Sequence, residues 1–169
     1  NGRKTIYSDA NEKLIMPDSV QDLSLPEPGQ GDLKIKVKLE TPLRLKFENE
    51  IRADLPFHVL ARAMLRRVSS LLNTWGDGEP DLDYQGLIER AGNVQIVKNS
   101  LRWFDWKRYS NRQERKMFMG GMLGSVTYEG KLGEYLPFFD FCEKVHLGKN
   151  TSFGLGKIIG KLKIHGRAS

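Results

Sequence analysis

The residues with the clearest capacity for chemistry lie near the end of the chain, at residues 146–157, which read HLGKNTSFGLGK. The glycines there permit positive φ and a close approach of the backbone to a ligand. Backbone N–H groups beside a lysine form a seat for an anion such as phosphate. We call this segment the glycine-rich loop. It predicts anion binding by Gly148, Lys149, Gly154, Gly156 and Lys157. The competing explanation is a tight turn that only joins two elements.

The known phosphate-binding motifs do not fit the glycine-rich loop. In a Walker A motif, Gly-Lys is followed by serine or threonine, whereas Asn150 follows one Gly-Lys pair of the loop and Ile158 follows the other. A dinucleotide-binding fingerprint follows a strand and opens a helix. Here the order is reversed, because the apolar run before the loop (residues 135–145) predicts a helix and the alternation after it (residues 158–164) predicts a strand.

Histidine is the side chain best suited to proton transfer near neutral pH, and the chain has three. His58 lies at the start of an arginine-bearing helix, and His146 is the first residue of the glycine-rich loop. Both are candidate catalytic residues. For His58 the competing explanation is a surface or capping role, and for His146 it is a structural hydrogen bond to the loop. His165 lies in the C-terminal tail and is not predicted to act.

No metal or cofactor is predicted. The histidines are scattered, Cys142 is the single cysteine, and no pair of carboxylates has the spacing of metal ligands. One cysteine allows no disulfide within the chain, which suits a reducing cytoplasm. No apolar stretch approaches the length of a membrane span, so no membrane contact is predicted. The formal net charge of +6 favours an anionic partner without naming one.

A long amphipathic helix is predicted over residues 57–75. Its apolar side chains recur at helical spacing, and Asp54 just upstream is a candidate N-cap. The polar side bears Arg62, Arg66 and Arg67. A charge run of this kind is usually a solvated helix face, but arginines without an acidic neighbour favour phosphate contact. Arg62 and Arg66 are therefore candidate phosphate contacts.

The order of the main predicted elements is strand, helix, strand, strand, helix, strand. The strands cover residues 33–47, 94–108, 116–129 and 158–164, and a short additional helix is predicted within residues 81–91. This is the split βαβ pattern of a ferredoxin-like α+β domain. Such a domain has a four-stranded antiparallel sheet in spatial order 4-1-3-2 with two helices on one face. Residues 1–32, rich in proline and glycine, are predicted to be an extended arm before a domain at 33–169.

A lysine-bearing sheet face follows from this topology. Residues 33–47 alternate between apolar side chains and Lys34, Lys36 and Lys38. The first and last strands are neighbours in the predicted order. These lysines would therefore join those of the last strand on the face that the helices leave open, namely Lys157, Lys161 and Lys163.

Several segments together resemble one known family. They are Pro56-Phe57 with residues 66–71, Trp106 with residues 108–113, the glycines Gly120, Gly121 and Gly124, the pair Leu136-Pro137, and the glycine-rich loop, which is the most specific of them. Over residues 33–163 the chain resembles the C-terminal half of the CRISPR-associated (Cas) endoribonucleases of the family numbered six, in the RAMP superfamily.

The resemblance implies a function. Such proteins have two ferredoxin-like domains in tandem and cut CRISPR repeat RNA (pre-crRNA) into guide units without a metal, leaving a 2′,3′-cyclic phosphate. This cleavage needs a base for the 2′-hydroxyl, an acid for the 5′-oxygen and a cation for the phosphate. The glycine-rich loop of the family lies near the RNA. The catalytic histidine is often in the first domain, which would precede Asn1, so this fragment alone is not expected to cleave RNA.

Three classes of function stay open. The first is the RNA-binding C-terminal domain of a CRISPR repeat endoribonuclease in the cytoplasm, with effector-complex subunits or a second copy as further partners. The second is a non-catalytic RAMP subunit that binds guide RNA in an effector complex. The third is a ferredoxin-like fold used only for protein association, which would bind no RNA in a salt-sensitive way.

Overall fold

Alternation in the first long strand organises the sheet. The computed structural model describes residues 7–8, 13–14, 25, 27, 29, 31–45, 54–110 and 115–163. In that part of the chain Ile35, Val37 and Leu39 are buried, and the lysines between them face the other way. The strands are β1 (Tyr7–Ser8), β2 (Lys13–Leu14), β3 (Asp32–Leu43), β4 (Gln95–Asn99), β5 (Arg102–Phe104), β6 (Lys107–Ser110), β7 (Arg115–Phe118), β8 (Gly121–Lys131) and β9 (Ile158–Lys163). The helices are α1 (Phe57–Trp75), α2 (Tyr84–Ala91) and α3 (Leu136–Val145), with short 3-10 turns at Gly133–Tyr135 and Thr151–Phe153.

The main sheet is antiparallel, with β3 at its centre. β3 pairs on one side with β8 and on the other with β9, and both β4 and β5 pair with β8. The spatial order is therefore β9, β3, β8, and then β4 and β5. This is the predicted 4-1-3-2 order if β4 and β5 are counted as one broken strand. The prediction of a ferredoxin-like α+β fold is confirmed.

Some predicted boundaries fall outside the described residues, including Phe47, Ile164, His165 and most of the arm at residues 1–32. The division into an arm and a domain stays a prediction.

The predicted strand at residues 94–108 is wrong in its continuity. It is divided into β4, β5 and β6. At the first break, after Asn99, the Leu101 amide donates to Asn99 Oδ1 at 2.8 Å, and the Ser100 amide donates to the Ser125 carbonyl at 2.9 Å. Gly124, at φ +118°, faces this break, and a Cβ there would lie 2.3 Å from the Ser100 carbonyl oxygen. Gly124 therefore packs closely against the break. The predicted strand at residues 116–129 is itself divided into β7 and β8.

The short additional helix predicted within residues 81–91 is α2, which packs against α1. The buried residues of α1 follow helical spacing, and they include Phe57, Leu60, Met64 and Val68. The predicted cap by Asp54 is wrong: Pro56 occupies the N-cap position and no side chain caps the helix. Cys142 in α3 is buried.

α3 also contacts the free edge of the sheet at β9. Gly160 lies opposite Val37 in the β9–β3 register, at a position that turns its amide away from β3. That amide donates to Glu143 Oε1 at 2.5 Å. Burial raises the pKa of the Glu143 carboxyl above its usual value, although the hydrogen bond from Gly160 acts in the opposite direction.

Three aromatic rings form the centre of the core between α1 and the sheet. Phe57 makes edge-on contacts with Tyr128 and Tyr135, with ring centroids 5.0 and 4.9 Å apart. Both tyrosine hydroxyls donate to backbone carbonyls at 2.6 Å, Tyr128 to Leu55 and Tyr135 to Leu87. Buried hydroxyls need such partners, so these two hydrogen bonds fix how the segments before α1 and within α2 lie on the core.

We expect Tyr128→Phe to lower the free energy of unfolding at pH 7 by about 1–3 kcal/mol, because the buried Leu55 carbonyl loses its donor. Urea unfolding measures the loss. Tyr84→Phe is the matched control, since the Tyr84 hydroxyl donates to the Pro80 carbonyl at 3.1 Å in a part-buried position. The control should lose less stability than Tyr128→Phe, and equal losses would contradict the role assigned to the buried bond.

The same variant has a testable dependence on pH. Burial raises the pKa of the Tyr128 hydroxyl above its ordinary value of 10, so the unfolded chain releases this proton at a lower pH than the folded protein. The stabilising contribution is complete below pH 10 and is lost as the pH rises above it. Above pH 10 the unmodified protein should lose stability more steeply than Tyr128→Phe does.

Candidate nucleic-acid interface

One side of α1 forms a cleft with the end of β3 and the start of the glycine-rich loop. The cleft has a volume of about 440 Å³. α1 contributes residues at intervals of three and four, which share one helix face: Val59, Arg62, Ala63, Arg66, Arg67 and Ser70. The segment after β3 contributes Arg44 and Leu45, and the loop contributes Gly148 and Lys149. We call this site the basic cleft.

Main-chain contact between the loop and the segment after β3 shapes one wall of the basic cleft. The Lys149 amide donates to the Arg44 carbonyl at 3.0 Å. Gly148 has φ +83°, and a Cβ there would lie 2.6 Å from the same carbonyl oxygen. A glycine is therefore required at position 148, because only a residue without a side chain lets the loop lie this close to Arg44. The contact brings Lys149 to the cleft that α1 lines.

The charge of the basic cleft is of one sign. Its cations come from all three segments: Arg44, Arg62, Arg66, Arg67 and Lys149. Among the residues that the structure describes, no carboxylate lines it. Cations that converge on a concave, partly apolar surface concentrate the positive field there. The arrangement therefore suits a polyanion that can present a phosphate to several cations at once.

Arg67 differs from the other arginines because it is tied to the fold. Its Nη2 donates to the Val145 carbonyl at 2.8 Å, at the C-terminal end of α3. Its Nε is buried and has no hydrogen-bond partner among the described residues. A cation at a helix C-terminus also interacts favourably with the helix dipole. Arg67 thus joins α1 to α3, while Arg62 and Arg66 remain exposed.

The two candidate catalytic histidines lie near the basic cleft but do not line it. His58 is one helical turn before Arg62 on α1 and is half-buried. His146 ends α3 with φ +59°, a conformation that costs energy for a residue other than glycine. Its Nδ1 lies 3.2 Å from the Leu155 carbonyl oxygen and must donate, because a carbonyl only accepts. His146 therefore makes a structural hydrogen bond to the loop, which the sequence analysis gave as the alternative to a catalytic role.

The basic cleft gathers four of the seven predicted binding residues: Arg62, Arg66, Gly148 and Lys149. The other three lie outside it. Gly154 is exposed, and Lys157 is 3.5 Å from Glu40 Oε2 on the open face of the sheet. Gly156 is buried, and a Cβ there would lie 1.7 Å from the Leu147 carbonyl oxygen, so its role is to close the loop.

Several loop amides that could seat an anion are occupied by the fold. The Leu147 amide donates to Gly156, and the Gly156 amide donates to Pro42. Thr41 Oγ1 donates to the Gly154 carbonyl at 3.0 Å and accepts from the Lys157 amide at 2.8 Å. One threonine hydroxyl therefore holds both sides of the last turn of the loop. In the basic cleft the exposed side chains of Arg62, Arg66 and Lys149, rather than these amides, are the groups that an anion can reach.

Sequence reasoning does not assign Arg44 to the site. Arg44 immediately follows β3, and nothing in its sequence neighbourhood predicts that the loop, more than a hundred residues later, bonds to its carbonyl. The sequence places Arg67 on the polar side of α1 but does not identify it as a cleft residue. Helical spacing could have identified Arg67, since it lies four residues after Ala63 on the same helix face.

The predicted meeting of two lysine-bearing strands is confirmed in register. Lys34, Lys36 and Lys38 lie opposite Lys163, Lys161 and Ile159. Acidic residues are interspersed among them, however. Lys34 pairs with Glu129, and Lys38 and Lys157 both approach Glu40. The open face is therefore less uniformly positive than the basic cleft.

In the described part of the chain, no group of histidine, cysteine, aspartate or glutamate side chains is arranged to hold a metal ion. None of its helices has the length and apolar character that crossing a membrane requires.

Comparison with known proteins identifies the family. The family model of the CRISPR-associated endoribonuclease Cas6 matches residues 37–158, a span that runs from within β3 through α1 to the end of the glycine-rich loop. The chain belongs to the Cas6 family. No curated protein matches the chain.

Solved Cas6 structures share the fold. A Cas6 product complex is 18% identical, with a TM-score of 0.50 over 76% of this chain and 51% of that chain. Thermus thermophilus Cas6 is 14% identical, with a TM-score of 0.59 over 79% and 55%. A partial Cas6-RT-Cas1–Cas2 complex is 19% identical, with a TM-score of 0.54 over 82% and 23%. The chain spans about half the length of the first two structures.

Gly156→Ala should disrupt the loop far more than Gly154→Ala. Both glycines have positive φ, but the new Cβ at position 156 would overlap the Leu147 carbonyl, whereas position 154 faces open space. We expect Gly154→Ala to cost about 1–2 kcal/mol of unfolding free energy and Gly156→Ala to cost at least about 4 kcal/mol. Thermal and urea unfolding of the two variants measure the difference, and similar losses would contradict the packing described here.

Thr41→Val should loosen the glycine-rich loop, because valine keeps the shape of threonine but removes both hydrogen bonds to the loop backbone. We expect a loss of about 1–3 kcal/mol of unfolding free energy. Hydrogen exchange of residues 154–157 should also become faster. Thr41→Ser keeps the hydroxyl and is the matched control. Equal exchange rates in the valine and serine variants would show that the hydroxyl does not hold the loop.

Proposed function

We propose that this chain is the RNA-binding half of a CRISPR repeat RNA endoribonuclease, and that the basic cleft binds phosphates of the repeat. The observation that carries the proposal is the convergence of cations from α1, the end of β3 and the glycine-rich loop on one concave site that no described carboxylate lines. Membership of the Cas6 family supports the choice of RNA as the polyanion.

The residue types suit this role. An arginine guanidinium is planar and donates in a fork that matches two phosphate oxygens. Arg62 and Arg66 lie one helical turn apart and can face successive phosphates, while Lys149 approaches from the loop as a point charge. The lysines of the open sheet face would add a weaker contribution, since Glu40 and Glu129 lie among them.

In the intact protein we propose metal-independent cleavage, in which the 2′-hydroxyl attacks the adjacent phosphate and leaves a 2′,3′-cyclic phosphate. The attack needs a proton acceptor at the 2′-oxygen and a proton donor at the leaving 5′-oxygen. His58 and His146 are the candidates within this chain. The hydrogen bond of His146 Nδ1 to Leu155 orients its ring with Nε2 as the atom left for proton transfer. Because the chain spans about half of the compared Cas6 structures, the activity is proposed for the intact protein.

A second candidate function is a subunit that holds guide RNA without cutting it. Two observations favour it: no histidine of the described residues lines the basic cleft, and a similar structure is part of a Cas6-RT-Cas1–Cas2 complex. Such a subunit would have other CRISPR proteins as partners. Incubating the intact protein with repeat RNA in EDTA separates the two functions. A single specific cut supports the endoribonuclease, and binding without a cut supports the second candidate.

Arg62→Ala and Arg66→Ala should each weaken binding of repeat RNA about tenfold or more, because each removes a cation that neutralises a phosphate. The slope of log affinity against log salt should become shallower by about 0.7–0.9 for each phosphate that is no longer neutralised. Fluorescence anisotropy at several salt concentrations measures both quantities.

Lys144→Ala is the matched control for these variants. Lys144 is a cation on α3 that pairs with Asp140 at 2.8 Å and does not line the basic cleft. It should leave the affinity and the slope unchanged. If Arg62→Ala and Arg66→Ala behave like Lys144→Ala, the basic cleft does not bind RNA phosphates, and a flat salt response of the unmodified protein would favour a role in protein association alone.

A further inference from the structure

We infer that the basic cleft accepts an unpaired nucleotide, with its base inserted against α1 and its phosphate held by the surrounding cations, and that it does not bind the side of an RNA duplex. This inference rests on the proposed function, because it requires RNA as the ligand. It adds which structural form of RNA the site selects.

The size of the basic cleft favours a single nucleotide. Its volume of about 440 Å³ lies within the range of about 300–1,000 Å³ that is usual for sites enclosing a small molecule. One nucleotide is a ligand of that size. A paired stem is a rigid cylinder whose phosphates lie along its outside and whose bases are stacked inside it. The bases stacked within such a stem cannot enter the cleft.

The lining of the basic cleft has two chemical characters that match the two parts of a nucleotide. Leu45, Val59 and Ala63 are apolar, and Arg62, Arg66 and Lys149 are cationic. Val59 belongs to the core, and Leu45 and Ala63 are half-buried against it, so the edge of the core forms an apolar floor that a phosphate alone would not contact. A base that has left its stack presents a flat, largely apolar face. Unpaired bases in RNA complexes lie on apolar side chains or on guanidinium planes.

Ala63 is the residue whose size tests the inference. It lies on α1 between Arg62 and Arg66, one turn after Val59, so its small side chain leaves space above the apolar floor. A leucine at this position would fill that space without removing any charge. Insertion of a base would then be blocked, whereas a phosphate that approaches the arginines from outside would still bind.

The experiment compares two RNA ligands: a short unpaired oligoribonucleotide and the same strand annealed to its full complement as a blunt-ended duplex. Each is titrated against the unmodified protein, Ala63→Leu, Ala63→Ser as the size-matched control, and Arg62→Ala. We expect Ala63→Leu to weaken binding of the unpaired RNA at least tenfold and to leave duplex binding within twofold of the unmodified protein. Ala63→Ser should change neither affinity more than twofold. Circular dichroism and thermal unfolding show whether each variant is folded.

The outcomes separate this inference from the proposed function. If Arg62→Ala weakens binding but Ala63→Leu does not, the cleft binds phosphates from outside, so the inference fails and the proposed function stands. The inference also fails if Ala63→Leu weakens binding of both RNAs equally. If neither Arg62→Ala nor Ala63→Leu changes the affinity for any RNA, both the inference and the proposed function of the cleft fail.

A second measurement needs no variant and keeps the inference testable if Ala63→Leu does not fold. Unpaired RNA that contains 4-thiouridine is crosslinked by light to the unmodified protein, and the crosslinked peptides are mapped by mass spectrometry. We expect crosslinks within residues 59–70 or at Leu45. Crosslinks confined to the open face of the sheet, at β3 and β9, would overturn the inference.

Discussion

The position of the glycine-rich loop against the end of β3 is the constraint on which the candidate site depends. Backbone bonds from Gly156 to Pro42 and from Lys149 to Arg44 attach the loop to this strand end, and the Thr41 hydroxyl bonds to it twice. Gly148 and Gly156 make this attachment possible, because a side chain at either position would overlap a carbonyl oxygen. Without the attachment, Lys149 and Arg44 would have no defined position relative to α1.

The same attachment divides the loop into two parts with different roles. Gly156 is buried and has a structural role, since its carbonyl accepts from the Leu147 amide and its amide donates to the Pro42 carbonyl. Residues around Lys149 are exposed and face the arginines of α1. α1 is held in turn by its apolar stripe on the aromatic core and by the bond from Arg67 to the end of α3. The basic cleft is therefore a product of the fold and not of a single motif.

Much of the fold could be predicted from the sequence, because apolar spacing identifies each element and the order of elements identifies the topology. The alternation in β3 and the helical stripe of α1 are of this kind. The division of the predicted strand at residues 94–108 could not be predicted, because it depends on Gly124 and Ser125 in a partner strand whose register the sequence does not reveal. Residue type alone favours Asp54 as the cap of α1, although proline at position 56 begins the helix without a side-chain cap.

The candidate site could be predicted in part for similar reasons. Arg62 and Arg66 share a helix face, and Lys149 lies beside a glycine that permits close approach, so their types and spacing are informative. Arg44 is recognisable only from tertiary structure, because its carbonyl pairs with the loop across a long stretch of chain. The glycines of the loop cannot be separated into binding and structural positions until their surroundings are known.

The contact between Glu143 and the Gly160 amide has a consequence for how copies of this protein meet in solution. An unprotected outer strand presents a row of backbone donors to which a strand from another molecule can pair, and such pairing is a route to aggregation. At β9 one of these donors is already occupied by a carboxylate from α3. An incoming strand would have to displace that carboxylate and lie beside its charge. The contact from α3 therefore disfavours the pairing of another strand with β9.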